Sequence, residues 1–353
     1  MKAWRLTMAT RSLSLEEVPD PTPRPGSVVV RVEAALVVSY LRRYTEGALP
    51  SYNPPPGTFT PGTSAIGVIE RVGADVYQLH PGQRVLLTGN YTVPENVPEP
   101  ARALLGITAP PEFVRVLETW RDGTFAELVV VPLSTVTPIP SALDGVPSAV
   151  LAAATRCLVP YGGLLRGRLR AGETVVVNGA TGGFGSAGVH VARAMGACTV
   201  VAAGRNASAL SRLAACDRVR TVRLSGDVAA DATALRDAAG GHVDLALDLV
   251  GAAGSAASTM ATLDSLGRTG RLVLMGSMTT PLPIDYTMLM VTGREIIGNF
   301  MYPGEAPARL LALVASGLLD LTAIPTVHRP LDELEQAMDQ AAVPNAPLVV
   351  VGG

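Results

Sequence analysis

The sequence is short of cysteine, of histidine and of any excess charge. Its three cysteines, Cys157, Cys198 and Cys216, form no CxxC pair, which excludes a disulfide framework and a four-thiolate structural zinc lobe. Lys plus Arg number 28 against 30 Asp plus Glu, a net charge of −2 with no block of one sign. Such a balance gives no electrostatic footprint for nucleic acid or an acidic membrane surface. The opening MKAWRLTMATRSLSLEEVPDP has no apolar core of signal-peptide length and carries Glu16 and Glu17 where one would end. No later stretch reaches the roughly 18 uninterrupted apolar residues of a membrane span. The absences together lead to the expectation of a cytoplasmic protein with neither nucleic acid nor membrane among its partners.

What is present is organised in two rhythms. A chain of 353 residues is long enough for two domains at roughly 100 to 200 residues each. As far as Pro140, short apolar runs such as SVVVRVEAAL, SAIGVIERVG and FAELVVVP alternate with the turn signals PGS, HPGQ and DGT, the pattern of a mostly β domain. Beyond it, the buried-strand runs TVVVNGA, CTVVAAG, RVRTVRL, VDLALDLV and GRLVLMGS enclose segments of helical length. Strand alternating with helix predicts an α/β fold with a doubly wound parallel sheet. The tail from Met301 reads helix, helix, strand, which breaks that alternation and is expected to rejoin the first domain. The expected division is therefore 1–158 with 301–353, and 159–300 between them.

The stretch VVVNGATGGFGSAG, Val175 to Gly188, follows a strand and opens a helix. Glycine there lets the chain turn sharply, approach a pyrophosphate and offer free backbone N–H groups at a helix start. The literal G-x-G-x-x-G falls on Gly183, Gly185 and Gly188, but the register Gly179, Gly182, Gly185 begins where the strand stops and is the better geometric choice. The expected cofactor-binding turn is Gly179, Ala180, Thr181, Gly182, Gly183, Phe184 and Gly185. An NAD site usually ends its second strand with an acid; here Gly204, Arg205 and Asn206 stand there instead. Room at Gly204 and paired donors on Arg205 suit a 2′-phosphate, so the expected cofactor is NADPH. Leu249, Val250, Gly276 and Ser277, at the ends of later strands, are expected to edge the adenosine and nicotinamide pockets.

These segments, in this order, resemble the medium-chain dehydrogenase/reductase superfamily, which contains zinc alcohol dehydrogenases and zinc-free quinone oxidoreductases. The similarity runs through PGTSAIGVIERVGADVYQLHPGQRV, GTFAELVVVP, AAATRCLVPYGGL, NGATGGFGSAGVHVARAMGA and VDLALDLVG. It implies a GroES-like β-rich catalytic domain and a Rossmann domain. It also implies that Val38, Thr63 and Cys157 occupy the places of the three ligands to the catalytic zinc, with Ser64 where a glutamate usually follows. A zinc site needs three protein ligands, and one thiol does not make such a set. His80, His190, His242 and His328 lack ligand spacing, so no metal is expected and Cys157 reads as a buried or cleft-lining thiol.

Without a Lewis acid, the resemblance implies hydride addition to an activated C=C or a quinone, with a hydrogen-bond donor at the oxygen that gains charge. In an ungapped alignment to Gly47, Tyr40 takes the place of the family's proton-relay hydroxyl, and Arg43 is the second catalytic candidate. Tyr44, Tyr52, Thr63, Asn90, Tyr91 and Cys157 are candidate substrate-pocket residues. The proline-rich segment 90–120 reads as a lid or a dimer contact. The resemblance further implies a homodimer, formed through the strand around GREIIGNFMY. The expected function is a zinc-independent, NADPH-dependent oxidoreductase acting on a small-molecule enone or quinone. A metal-free ketone or aldehyde reductase and a non-catalytic NADPH-binding protein are the alternatives.

Overall fold

β-Branched runs lose rotamer freedom in a helix and pack well on a pleated surface, and they set the strands of the computed structural model, which describes residues 1–251 and 253–353. The amino-terminal strands are β1 (Lys2–Thr7), β2 (Ser12–Glu17), β3 (Ser27–Val37), β4 (Thr58–Phe59), β5 (Ala65–Val72), β6 (Arg84–Leu87), β7 (Asn90–Thr92), β8 (Arg102–Leu104), β9 (Leu128–Pro132) and β10 (Val136–Pro138). The central strand is β3, whose 11 residues are buried except at Arg31 and, in part, Glu33. It pairs antiparallel with β5 and β9, and the register with β5 shifts twice along its length. Those irregularities increase local twist and let the sheet curl around its apolar face. Beside it, β2, β1 and β4 form a three-stranded antiparallel sheet.

From Thr174 the chain obeys a different geometry. Strands β11 (Thr174–Asn178), β12 (Thr199–Gly204), β13 (Val219–Arg223), β14 (Leu245–Asp248), β15 (Arg271–Leu274) and β16 (Glu295–Gly298) lie in the order β13-β12-β11-β14-β15-β16. All five pairings are parallel. Helices Gly183–Ala194, Ala207–Ala214, Val228–Ala239, Ala257–Ser265 and Tyr286–Thr292 fill the intervals. The order reverses at β11, between β12 and β14, and such a switch point leaves a crevice at the carboxyl ends of the strands. This is the Rossmann-like arrangement, with β11, β12 and β14 almost wholly buried, as strands covered on both faces must be.

The last strands, β17 (Thr326–Arg329) and β18 (Leu348–Val351), return to the first sheet, where β18 pairs antiparallel with β3. Two compact units result: Met1–Thr155 with Pro307–Ala315 and Ile324–Gly353, and Arg156–Ala306 with Ser316–Ala323. The tail is thus shared, because the turn following its first helix packs with the parallel-sheet unit. Helix Ser148–Arg166 is long and apolar enough to match a membrane span by length and composition, yet two thirds of it is buried within the protein. That burial marks a core helix.

Candidate functional site

The glycine turn is built by backbone crowding. Gly179 directly follows β11 with φ +81°, a conformation that costs an L side chain roughly 1–2 kcal/mol. Its carbonyl lies against Gly185: a Cβ there would overlap the Gly179 oxygen, with the Gly179 carbonyl carbon at 2.6 Å and Ala180 Cα at 2.8 Å. Gly182 is the N-cap of helix Gly183–Ala194. The N–H groups of Gly183, Phe184 and Gly185 precede the first intrahelical bond, and none has a partner among the described residues. Gly182, Gly183 and Phe184 are solvent-exposed, Thr181 is half-buried and Ala180 is buried. Gly185 is buried beneath them, and unpaired donors at the exposed, positive end of a helix dipole fit a pyrophosphate.

The structure brings the ends of two later strands to this turn. The Leu249 carbonyl carbon lies 3.2 Å and its oxygen 3.3 Å from the Cβ position of Gly179, and the Val250 backbone lies against Gly276. Ser277 Oγ is close to Gly251. Beside them Asp248 is buried, accepting from the Val250 N–H at 2.9 Å and from Asn178 Nδ2 at 3.5 Å. Burial raises the Asp248 carboxyl above the usual carboxylate range, against those hydrogen bonds, which pull it down. A raised folded-state value favours the neutral acid, so its stabilisation is full at low pH and is lost as pH rises through that value. Asp248→Asn keeps an acceptor for the Val250 N–H and removes the titrating carboxyl. Urea unfolding from pH 4 to 8 should therefore show a flatter loss of stability with rising pH in the variant than in the parent. Parallel pH profiles would refute it.

At the end of β12 the picture departs from the sequence expectation in two places. Gly204 is buried, and a Cβ there would meet Thr181 Cγ2 at 2.6 Å and Oγ1 at 2.9 Å. Its smallness serves the packing of Thr181 as well as leaving room. Asn206 is committed to the N-cap of helix Ala207–Ala214, where its Oδ1 accepts from Ala209 N at 3.0 Å and Ser208 Oγ at 2.8 Å. Its side-chain oxygen is therefore engaged within the protein. Arg205 between them is exposed, with no ion pair among the described residues.

In the GroES-like unit three tyrosines stack around the short helix Leu41–Thr45. Tyr40 and Tyr44 flank Tyr52, with ring centroids 5.7 Å and 5.8 Å from it. Tyr40 is half-buried; burial first, then Tyr52, pushes its hydroxyl well above the ordinary phenol range, so it stays protonated at any physiological pH. Tyr44 is fully committed: its hydroxyl donates to the Ile107 carbonyl at 2.6 Å and its ring is in the core. Arg43 is exposed, while Arg42 beside it pairs with Asp339 at 2.7 Å. Thr63 and Asn90 are half-buried.

Besides Tyr44, two further pocket candidates are corrected by burial. Tyr91 is 6% exposed and belongs to the small core of segment 90–120, with Ala103, Leu105, Ala109 and Leu117. Its ring meets Trp120 edge-on at 6.4 Å, and the Arg24 guanidinium sits 4.3 Å from the Trp120 ring centroid. Segment 90–120 is thus a packed module with its own β7–β8 pair. Cys157 is 0% exposed, and burial pushes its thiol up to about 12, with the smaller opposing effect of Arg156. A buried neutral thiol presents no surface to a substrate.

The donor set also fails to fit zinc. Val38 has no ligating atom and Thr63 has only a hydroxyl, which leaves Cys157 as the one thiolate-forming side chain of the three. Among the described residues no three His, Cys, Asp or Glu side chains group to hold a metal ion. A surface cleft of about 710 Å³, lined by Asp20, Arg31, Glu33, Glu70, Arg71 and Glu127, contains none of the candidate residues. The residue that sequence reasoning missed is Arg156, whose guanidinium lies against Gly183. The available signal was its position as the single charged side chain from Gly145 to Leu165.

Comparison with known proteins agrees with this architecture. Residues 24–141 match the alcohol dehydrogenase GroES-like domain and residues 183–316 the zinc-binding dehydrogenase domain. The chain is 30% identical over 288 residues to L-threonine 3-dehydrogenase of Anaeromyxobacter sp. strain Fw109-5, covering 79% of this chain and 77% of that one. It is 27% identical over 345 residues, 96% of each chain, to acryloyl-coenzyme A reductase of Metallosphaera sedula. The crystal structure of a Sinorhizobium meliloti 1021 protein described as a zinc-binding dehydrogenase, bound to NADP, superposes with a TM-score of 0.79 at 23% identity, covering 100% of this chain and 99% of that one.

Proposed function

Because this chain is an oxidoreductase of the medium-chain dehydrogenase/reductase superfamily, we propose that it uses NADPH, without zinc, to reduce a carbon–carbon double bond conjugated to a carbonyl, or a quinone. The observation that carries the reading is the donor set: an aliphatic Val38, a Thr63 hydroxyl and a single thiol, Cys157, do not supply the three ligands through which a zinc ion would polarise a simple ketone. A conjugated acceptor needs less, because charge spreads to an oxygen that a hydrogen bond can hold. The similarity to an acryloyl-coenzyme A reductase along 96% of both chains supports the same substrate class, an acryloyl group being a double bond in conjugation with a thioester carbonyl.

When bound, the nicotinamide supplies the hydride. The protein's own groups do the rest. The free N–H groups of Gly183, Phe184 and Gly185 bind the pyrophosphate, and Arg205 binds the 2′-phosphate. The Tyr40 hydroxyl, protonated at neutral pH, donates a hydrogen bond to the oxygen that becomes negative as the double bond is reduced. Its raised pKa suits a neutral donor and makes solvent the better source of the final proton. The β16 edge of the parallel sheet, with exposed Tyr286, Met290, Val291 and Phe300 near it in sequence, supports a homodimer in which a second copy covers that edge.

NADPH oxidation by the purified protein should proceed with enones, acryloyl thioesters or quinones, and much more slowly with simple ketones and aldehydes. Tyr40→Phe should lower turnover by roughly 10- to 100-fold while leaving NADPH affinity unchanged. An unchanged rate removes Tyr40 from the mechanism, stoichiometric zinc by elemental analysis overturns the metal-free reading, and a preference for ketones selects carbonyl reduction. Tight NADPH binding with no turnover on any acceptor would instead make the protein a binding module.

A further inference from the structure

Helix Ala153–Arg166 contains one charged residue in its interior, Arg156. Its side chain is half-buried, and no hydrogen bond or ion pair reaches it among the described residues. Burial lowers its pKa to about 10. Arg271, the buried arginine of the same unit, shows what compensation looks like here: its guanidinium donates to the carbonyls of Gly167 at 2.9 Å and Arg168 at 3.0 Å and pairs with the Glu173 carboxylate. A cation withdrawn in part from water without a counter-charge is costly, and an anion arriving beside it removes that cost.

Position identifies the anion. The Arg156 guanidinium carbon lies 3.3 Å from the Cβ position of Gly183, with Nε at 3.4 Å and Nη1 at 3.5 Å. Gly183 is the first residue of helix Gly183–Ala194, and its N–H and the next two are unpartnered. Three free backbone donors and a full positive charge therefore meet at one end of one helix. Brought together in the empty protein they repel; an anion with several oxygens relieves both costs at once.

We infer that Arg156 is a cofactor-contacting residue that binds the dinucleotide pyrophosphate, adding a formal charge to a turn that otherwise offers backbone N–H groups. The inference rests on the dinucleotide reading of this turn. The same guanidinium chemistry would suit a carboxylate or phosphate on the substrate, and choice of ligand separates the two. Calorimetric titration of the full-length protein and of Arg156→Met with ADP-ribose, NAD⁺ and NADP⁺ reads the pyrophosphate directly, since ADP-ribose lacks the nicotinamide. The variant should bind all three weaker by a common factor of roughly 10 to 100, the scale of charge-assisted hydrogen bonds. Its affinity should also fall less steeply with added salt, and Arg156→Lys should recover part of the loss.

Thermal unfolding without ligand keeps the test independent of folding. With an unmatched, half-buried cation removed, Arg156→Met should melt no lower than the parent, and its ADP-ribose-induced shift should shrink. Unchanged ADP-ribose affinity overturns the inference. Unchanged affinity together with a raised KM for an anionic substrate assigns Arg156 to the substrate. Failure of the parent itself to bind ADP-ribose or NADP⁺ would remove the dinucleotide reading, and this inference with it.

Discussion

Replacing Gly185 by alanine is expected to abolish dinucleotide binding and to destabilise the parallel-sheet unit. The reason is local and backbone-bound. The new Cβ would overlap the Gly179 carbonyl oxygen and sit 2.6 Å from its carbon and 2.8 Å from Ala180 Cα. No side chain can rotate away from such contacts, so the turn between β11 and helix Gly183–Ala194 must open. Overpacking of this kind costs about 1–3 kcal/mol, and more when backbone must move. A displacement of about 1 Å at a positioning element can cost on the order of 100-fold in function, so dinucleotide affinity should fall at least that far.

Gly182→Ala provides the contrast. Gly182 has extended dihedrals, φ −86° and ψ 169°, and its Cβ position has one neighbour, the Gly179 oxygen at an ordinary 3.4 Å. Alanine fits there, so stability should change by no more than about 1 kcal/mol, the scale of an N-cap substitution. The added methyl would nevertheless stand on the exposed face that a phosphate must approach, and affinity should still drop. Chemical denaturation and fluorescence titration of both variants check the pair. Gly185→Ala binding with parental affinity would sink the steric account of this turn.

Arg205→Ala should weaken NADPH by roughly 10- to 100-fold and NADH hardly at all, because a bidentate guanidinium–phosphate pair is lost only where a 2′-phosphate exists. Arg205 is exposed and free of ion pairs among the described residues, whereas its neighbours are occupied: Gly204 packs on Thr181, and Asn206 caps a helix. That leaves Arg205 as the available cation at the end of β12. The packing also predicts an asymmetry. An acid at position 204, the usual NAD determinant, would push its Cβ into the stiff, β-branched Thr181 at 2.6 Å, so Gly204→Asp should lower stability before it improves NADH binding. Paired dissociation constants for the two cofactors decide the matter; equal loss of both in Arg205→Ala would remove the 2′-phosphate role.

Where sequence reasoning succeeded, the controlling physics was short-range. Helix Gly183–Ala194 follows a β-branched strand and a glycine turn within 20 residues, and period and turn chemistry are readable over such distances. The Asn206 cap is equally local, an asparagine immediately before ASALSRLA whose side chain accepts from the Ala209 N–H. Tyr44 was not legible, because the carbonyl that claims its hydroxyl belongs to Ile107, 63 positions away. Tyr91 was hidden for the same reason: the proline-rich segment around it folds onto Trp120 and builds its own small core.

By itself, then, the sequence determined the family, the succession of a β-rich and a strand–helix unit, and the place of the glycine turn, since each is written in residue types repeated at fixed spacing. Only the tertiary structure decided which polar side chains remain free to act. It withdrew Tyr44, Tyr91 and Cys157 into cores, left Arg205 in solvent, and set an unmatched Arg156 against Gly183. The physical reason is that a polar group's availability depends on whether a distant partner satisfies it, and no local pattern records where that partner will lie.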